Sequence, residues 1–202
     1  MSPTMRRASR AAVCLAFAAA GALSLFQAPA VSAAPDAPPV GTGWYQIKVR
    51  HSGMCLDVAH RSFAAAAPVV VATCGSGHNQ QWRLLSQGED KFKIKARHSG
   101  MCLDVAWGST AHAARVVQSH CNGGSNQVWW FVQAPGRAPL VNSSIGVVPQ
   151  VGNSVGIVAD HSGALLDVAH FSRAHGAPVV QAHASGGGPT TNQQWRFVQA
   201  SP

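Results

Sequence analysis

The sequence predicts an all-β fold built from three copies of one unit, with about four strands in each copy and pseudo-threefold symmetry. The first observation is a nine-residue block that occurs as HSGMCLDVA at 51–59 and 98–106 and as HSGALLDVA at 161–169. The second is an Asn-Gln-x-Trp block that follows each copy, at 79–82, 126–129 and 192–195. The third is composition: only 11% of the 202 residues are charged, and the 20 Gly and 12 Pro disfavour helix interiors.

The spacing of the two blocks defines the repeats. The first two copies are 47 residues apart in both blocks, whereas the third is displaced by a further 63 residues in the first block and 66 in the second. The 16 additional residues fall within 134–153, a stretch containing Pro, Gly and Ser that we expect to form a surface loop. A unit of roughly 47 residues is too short to bury a core of its own, so three units should pack around a shared centre and close the sheet. The repeats are predicted to span 44–90, 91–153 and 154–202.

Each repeat is predicted to contain four short strands. Apolar residues alternate with polar ones from Tyr45 to Arg50 and again from Lys91 to Arg97, which indicates strands with one inward face. A turn at His-Ser-Gly follows each run, and Cys-Leu-Asp-Val reads as the second strand. The third and fourth strands of the first repeat are expected at 68–74 and 80–85, which gives twelve strands in the whole chain.

The first residues have the order of a secretory signal peptide. Arg6, Arg7 and Arg10 precede an apolar stretch at 11–26 that is short for a membrane span, and small residues follow at 31–33. We predict a signal peptide at 1–33, cleavage after Ala33, and therefore a secreted, extracellular protein. Residues 34–43 are expected to form an unstructured lead-in, and 44–202 the folded domain. After cleavage, 12 basic and seven acidic residues leave a net charge of +5, too small to indicate nucleic-acid binding.

Four cysteines occur in two equally spaced pairs. Cys55 and Cys74 are 19 residues apart, as are Cys102 and Cys121. Both aligned positions lack cysteine in the third repeat, where Leu165 and Ala184 stand. This joint absence, together with an exported context, predicts two disulfides, one within each of the first two repeats. The Cys-x-x-Cys spacing typical of zinc sites is absent, so no metal is expected.

The three repeats, each with Cys-Leu-Asp-Val or its variant and a Gln-x-Trp near its end, resemble the ricin B-chain-like (R-type) lectin β-trefoil, which also occurs as a carbohydrate-binding module on secreted glycosidases. The resemblance covers essentially the whole chain from Trp44 to Pro202. It implies a β-trefoil, no cofactor, and glycans or polysaccharides of galactose or xylose type as partners. It also implies that the Gln-x-Trp pairs belong to the core: Gln80 with Trp82, Gln127 with Trp129, and Gln193 with Trp195.

In such lectins each repeat can hold a shallow sugar site. The resemblance implies that the Asp of the Leu-Asp-Val block accepts hydrogen bonds from sugar hydroxyls and that the Asn before Gln-x-Trp adds another. The alternative is that each Asp stabilises its own hairpin through local backbone. An exposed ring or imidazole three residues after each Asp is the remaining candidate contact. The candidate sites are Asp104, Trp107 and Asn126, which we prefer, then Asp167, His170 and Asn192, and Asp57, His60 and Asn79.

One departure from the family pattern concerns the stacking aromatic that usually precedes the second Cys by two residues. Ala72, Ser119 and Ala182 occupy that position here. Because stacking contributes substantially to sugar affinity, we expect weaker or differently built sites. The loss leaves open an alternative function, a secreted protein-binding trefoil such as an inhibitor that uses the 134–153 insertion.

Enzymatic activity is not expected. Catalysis needs an asymmetric set of groups, such as two carboxylates at a matched distance or a nucleophile beside a base. Here the three repeated carboxylates are equivalent and far apart. The basic run from Lys91 to Arg97 interleaves Phe92 and Ile94, which should point inward and leave no stacking partners for nucleic acid. The chain is therefore expected to act as a monomeric binding module.

Overall fold

The computed structural model describes residue 41 and residues 43–135, 141–143, 146–184 and 188–201. The predicted signal peptide and most of the predicted lead-in lie outside the described residues. Within the described ranges, no helix is long and apolar enough to cross a membrane.

The described residues form an all-β structure in which each repeat contributes four strands, as the sequence predicts. The first repeat holds β1 (Tyr45–Val49), β2 (Cys55–Val58), β3 (Val69–Ala72) and β4 (Trp82–Gly88), and the second holds β5 (Lys91–Ala96), β6 (Cys102–Val105), β7 (Val116–Ser119) and β8 (Trp129–Gln133). Two further strands, β9 (Val141–Ser143) and β10 (Gly146–Val148), precede the third repeat, which holds β11 (Ser154–Ala159), β12 (Leu165–Val168), β13 (Ala177–Ala182) and β14 (Gln194–Gln199).

Six strands close into a barrel. The first and fourth strands of every repeat pair in the cyclic order β1, β14, β11, β8, β5, β4 and back to β1, and every pairing is antiparallel. The second and third strands of each repeat form a hairpin that contacts the hairpins of the other repeats, through β13 with β3 and through bridges at Pro68 and Arg115. A barrel capped by three hairpins is a β-trefoil.

The three tryptophans of the Gln-x-Trp motifs lie in one shared core. Trp82, Trp129 and Trp195 are fully buried and belong to a single apolar cluster. Each indole Nε1–H donates to the leucine carbonyl of the second strand of its own repeat, at 2.9, 3.1 and 2.9 Å. The bonds satisfy the polar edge of a ring that is otherwise apolar, so one motif anchors the fourth strand of every repeat to its hairpin.

The sequence predicted that the insertion at 134–153 is a surface loop. The structure differs, because β9 and β10 pair within it as a short antiparallel hairpin. Valine supplies two of the three residues of β10 and the first residue of β9, and β-branched residues favour extended backbone. The two strands form a separate sheet that does not join the twelve-stranded one among the described residues.

Both predicted disulfides are confirmed. Cys55 bonds to Cys74 and Cys102 to Cys121, and each links the start of the second strand to the residues after the third strand. The third repeat lacks the bridge and instead has a longer third strand, six residues in β13 against four in β3 and β7.

Candidate functional site

A buried aspartate occupies the third position of the second strand in every repeat. Asp57, Asp104 and Asp167 are each about one-twentieth exposed, at 6%, 5% and 6%. Each lies opposite a valine of the third strand: Val70, Val117 and Val180. Burial raises the pKa of each carboxyl group above its ordinary value of 3.8, and hydrogen bonds from neighbouring amides oppose this without cancelling it.

Two side-chain amides hold each carboxylate. In the first repeat Asn79 donates to Oδ2 of Asp57 at 3.0 Å and to the carbonyl of Val58 at 3.3 Å. Gln80 donates to the same Oδ2 at 2.6 Å and to the carbonyl of Thr73 at 3.0 Å. The third repeat reproduces the arrangement, with Asn192 and Gln193 both donating to Oδ2 of Asp167 at 3.0 and 2.8 Å. The structure therefore joins the predicted aspartate and asparagine directly, and it gives the glutamine a position at the site as well as in the core.

The second repeat differs in which oxygens are used. Asn126 donates to Oδ1 of Asp104 at 3.0 Å, and Gln127 donates to Oδ2 at 2.7 Å. In the first and third repeats Oδ1 receives no hydrogen bond from the described residues. Those two carboxylates thus keep one whole oxygen for an external donor, whereas Asp104 has spare lone pairs but no unbonded oxygen.

A cavity opens beside the carboxylate in the first and third repeats. The cavity of the first repeat has a volume of about 440 Å³ and that of the third about 270 Å³. Asp57, His60 and Asn79, the candidate residues of the first repeat, all line the first cavity. The third is lined by their counterparts Asp167, His170 and Asn192.

The positions where the family places a stacking aromatic form part of the cavity walls. Ala72 lines the first cavity and Ala182 the third, next to Val70 and Val180 respectively. Ser119 holds the matching place in the second repeat and is partly buried. Short side chains here leave the cavity floor open where a ring would fill it.

A neighbouring repeat completes each cavity, which repeat-by-repeat reasoning did not find. His175 and Gly176 of the third repeat line the first cavity, and His112 and Ala113 of the second repeat line the third. The backbone positions this loop, since Gly176 N–H donates to the carbonyl of Val71 and Ala113 N–H to that of Gln181, both at 2.9 Å. The aligned residue in the first repeat is Ala65, so only two of the three loops present a histidine.

The residues three and four positions after each aspartate adopt left-handed backbone. His60, Trp107 and His170 have φ values of 57°, 62° and 56°, and the next residue in each repeat has φ of 53°, 59° and 52°. Two successive left-handed residues turn the chain outward and place both side chains at the rim. Trp107 is 97% exposed, which agrees with the prediction that this ring is not part of the core. Arg61 and Phe171, the second residues of these turns, line the first and third cavities and were not among the predicted site residues.

The histidine of each His-Ser-Gly turn has a structural position. Nε2 of His51, His98 and His161 lies 2.8, 2.9 and 2.9 Å from the carbonyl oxygen of a serine in another repeat. An Nε2–H that donates to a carbonyl links adjacent repeats and explains why the residue recurs at every turn. Across the described part of the chain, no three His, Cys, Asp or Glu side chains are grouped closely enough to hold a metal ion.

A family model described as ricin-type beta-trefoil lectin domain-like matches residues 32–110 and 78–182, which together cover most of the chain. The chain belongs to this family. The fold of this ricin-type lectin-like protein agrees with the repeats and the barrel described above. No curated protein matches its sequence significantly.

Solved structures similar to this ricin-type lectin-like protein include a design and a natural enzyme. The designed threefold-symmetric protein ThreeFoil is 39% identical, with a TM-score of 0.66 over 78% of this chain and 99% of that chain. The exo-beta-1,3-galactanase 1,3Gal43A from Clostridium thermocellum is 31% identical, with a TM-score of 0.66 over 79% of this chain. The matched region is only 30% of the galactanase chain. The Macrolepiota procera ricin B-like lectin, solved with lactose, is 18% identical with a TM-score of 0.60 and 96% of its chain covered, which shows a shared fold.

Proposed function

We propose that this protein is a secreted carbohydrate-binding module without catalytic activity of its own, with up to three sugar sites. The observation that carries the proposal is the buried carboxylate at a cavity wall, held by two amides and left with an unbonded oxygen in the first and third repeats. A sugar hydroxyl can donate to that oxygen, while His60 or His170 at the rim reaches neighbouring hydroxyls.

Two relatives support sugars as the ligand class. The galactanase is named for an activity on β-1,3-galactan, and the Macrolepiota lectin was solved with lactose. Galactose-type glycans are therefore the first ligands to test, with xylose-type glycans next. The lack of a stacking ring at Ala72 and Ala182 predicts modest affinity at each site.

The second repeat contributes differently. Its carboxylate already accepts hydrogen bonds on both oxygens, so we propose that Trp107 supplies most of its contact by stacking on a sugar face. Asp104 and Asn126 would then set the orientation of the sugar.

A glycan array probed with the purified protein tests the proposal. We expect binding to galactose- or xylose-type glycans, weakened by Asp57→Asn and Asp167→Asn and, in the second repeat, by Trp107→Ala. Trp130→Ala is the matched control, because Trp130 is another partly exposed tryptophan and lines neither cavity. If no glycan binds and affinity capture recovers a protein partner instead, the alternative of a protein-binding trefoil replaces this proposal.

Export is part of the proposal, and the two disulfides support an oxidising compartment. Expression of the whole chain in a secreting host should release into the medium a protein that begins at residue 34. Intact-mass measurement checks the cleavage point, and retention of the uncleaved chain in the cells would contradict it.

A further inference from the structure

We propose that the first cavity selects a glycan residue carrying an anionic group, a carboxylate or a sulfate, and that Arg61 is the residue that selects it. This inference rests on the proposed function and assigns a ligand class to one of its sites. The third cavity, which has Phe171 at the matching position, is assigned a neutral sugar.

The backbone makes the comparison between repeats direct. Residues 61, 108 and 171 have φ values of 53°, 59° and 52° and follow equivalent left-handed residues. The Cα–Cβ bonds of Arg61 and Phe171 therefore leave the chain in the same direction relative to the local carboxylate, whereas Gly108 has no side chain. Only their identity differs, with Arg in the first repeat, Gly in the second and Phe in the third.

Arg61 is placed at the cavity rim with its charge uncompensated. A Cβ added at Gly77 would lie 3.4 Å from its Nη2, so the guanidinium lies against the opposite wall. Lys91 forms a salt bridge with Asp160, but no salt bridge among the described residues involves Arg61. A guanidinium without an acidic partner presents a planar set of donors that matches a carboxylate or sulfate.

The other lining groups agree with this assignment. Among the described residues, Asp57 is the only acidic one that lines the first cavity, and it is buried in the wall, whereas His60 and His175 are exposed at the rim. His175 Nδ1 accepts a hydrogen bond from Thr73 N–H at 3.3 Å, so its Nε2 carries the proton and remains a donor. A sugar can direct neutral hydroxyls toward Asp57 and its anionic group toward Arg61, which keeps the two negative charges apart.

The basic character continues beyond the cavity. A second depression of about 450 Å³ shares Gly75 and Ser76 with the first. Lys48 and His78 line it, and none of its described lining residues is acidic. The exposed acidic side chains Glu89 and Asp90 lie with Asp160 at a separate cavity. A polymer whose anionic residues recur along the chain could therefore place a second charge near Lys48.

Binding measured by titration calorimetry at low salt tests the assignment. The probes are a xylo-oligosaccharide with one glucuronic acid against its unsubstituted form, and sulfated lactose against lactose. We expect the anionic member of at least one pair to bind about fivefold more tightly, as one exposed ion pair allows. Arg61→Phe should remove that preference, so that the neutral and the anionic member of each pair bind with equal affinity. Phe171→Arg should create a similar preference in the third cavity, and thermal melts of both variants check that they are folded.

The outcomes separate this inference from the proposed function. Neutral glycans that bind while Arg61→Phe leaves the anionic preference intact would overturn the role of Arg61 alone. Equal competition by inorganic polyphosphate would also overturn it, because general charge attraction would then explain the preference. If neither neutral nor anionic glycans bind the unaltered protein, the proposed function itself fails. A preference confined to the uronate or to the sulfate supports the inference and identifies the anionic group.

Discussion

The three buried aspartates have equivalent neighbours, but the hydrogen bonds are distributed differently over the two carboxylate oxygens. Asp57 and Asp167 accept both amides on one oxygen, whereas Asp104 accepts one amide on each oxygen. An asparagine has one acceptor and one donor end. It therefore fits the first arrangement but not the second, in which its NH2 must face another NH2.

We expect Asp57→Asn and Asp167→Asn to raise the free energy of unfolding slightly at neutral pH, because burial disfavours the ionised carboxylate that each amide replaces. Asp104→Asn should lower it by about 1–3 kcal/mol, the cost of a buried polar group without a partner. Urea denaturation of the three variants measures the difference. Equal effects at all three positions would contradict the assigned hydrogen-bond pattern.

The raised pKa values also set a pH dependence. A carboxyl whose pKa is higher in the folded protein than in the unfolded chain favours folding fully below the unfolded value of 3.8, and this contribution is lost as the pH rises through the folded pKa. The stability advantage of Asp57→Asn over the unaltered protein should therefore be present at neutral pH and disappear below 3.8.

Sugar binding should respond in the opposite direction. The ionised carboxylate is the acceptor for a hydroxyl, so affinity should fall as the pH is lowered, beginning above 3.8 because the pKa is raised. Binding at a series of pH values, with stability followed in parallel, checks both trends. An affinity that is unchanged down to pH 3.8 would rule out an ionised acceptor.

At the scale of elements, the hairpins of the first two repeats are closed by disulfides and that of the third by strand pairing alone. Each bridge spans 19 residues, for which restriction of the unfolded chain gives about 3 kcal/mol. Paired Cys→Ala replacement of Cys55 with Cys74, or of Cys102 with Cys121, should lower the free energy of unfolding by about that amount. Thermal unfolding measures the loss. If both paired variants unfold at the same temperature as the unaltered protein, the disulfides do not stabilise their hairpins and strand pairing alone holds every repeat.

The first strand of the third repeat is covered on both faces. All of β11 is buried, whereas β1 and β5 alternate between buried and partly exposed residues. Gly156 occupies the outward position that Gln46 and Lys93 hold in the other repeats. The glycine is required because Val132, Leu165 and Pro189 close over it.

Gly156→Ala should therefore destabilise the protein. Its Cβ would lie 2.6 Å from Cγ2 of Val132 and 2.8 Å from Cδ2 of Leu165, and overpacking of this kind costs about 1–3 kcal/mol. Gly123→Ala is the control, since a Cβ there meets nothing within 4 Å. Chemical denaturation that gives both variants the same stability would contradict the tight packing.

At the scale of the whole molecule, one contact between repeats is missing from the threefold pattern. Gln118 donates to the carbonyls of Ser62 and Ala64, and Gln181 does the same to Ser109 and Ala111. The aligned residue in the first repeat is Val71, which cannot donate. The carbonyls of Ser172 and Ala174 therefore lack this amide, in the loop that carries His175.

Val71→Gln should restore the missing contact, because Ser52 stands where Ser99 and Ser162 donate to the other two glutamines. We expect an increase in the free energy of unfolding of about 1 kcal/mol, and a loss of about 1–3 kcal/mol for Gln118→Val. Urea denaturation of both variants measures the pair. A Val71→Gln protein less stable than the unaltered one would show that this interface is built differently from the other two.

The repeats in the sequence made the architecture predictable, whereas the surroundings of individual side chains were harder to predict. Twelve strands, two disulfides and the grouping of each aspartate with an asparagine of its own repeat follow from blocks that recur in register, because a repeated pattern fixes which positions share a role. The direct hydrogen bond between the two side chains was not predicted. His175 and His112 could not be assigned to sites, since each belongs to a different repeat from the carboxylate it faces. Arg61 and Phe171 were not predicted as site residues. Their placement depends on two successive left-handed residues, and no sequence motif indicates that conformation here. The burial of the outer face of β11 was not predicted, because it depends on Pro189, and the alternation of residues within a strand does not show which distant residue packs on it.

The pairing of β1 with β14 has a consequence for how the molecule can be rebuilt. Tyr45 lies opposite Gln199, so the two ends of the domain are neighbours on the barrel. A short linker from 199 to 45 would allow the chain to be reopened at the turn formed by Glu89 and Asp90, between the first and second repeats. Such a circular permutant would retain every barrel strand and both carboxylate cavities. A reporter domain could then be attached at a new place without covering the proposed sugar-binding rim.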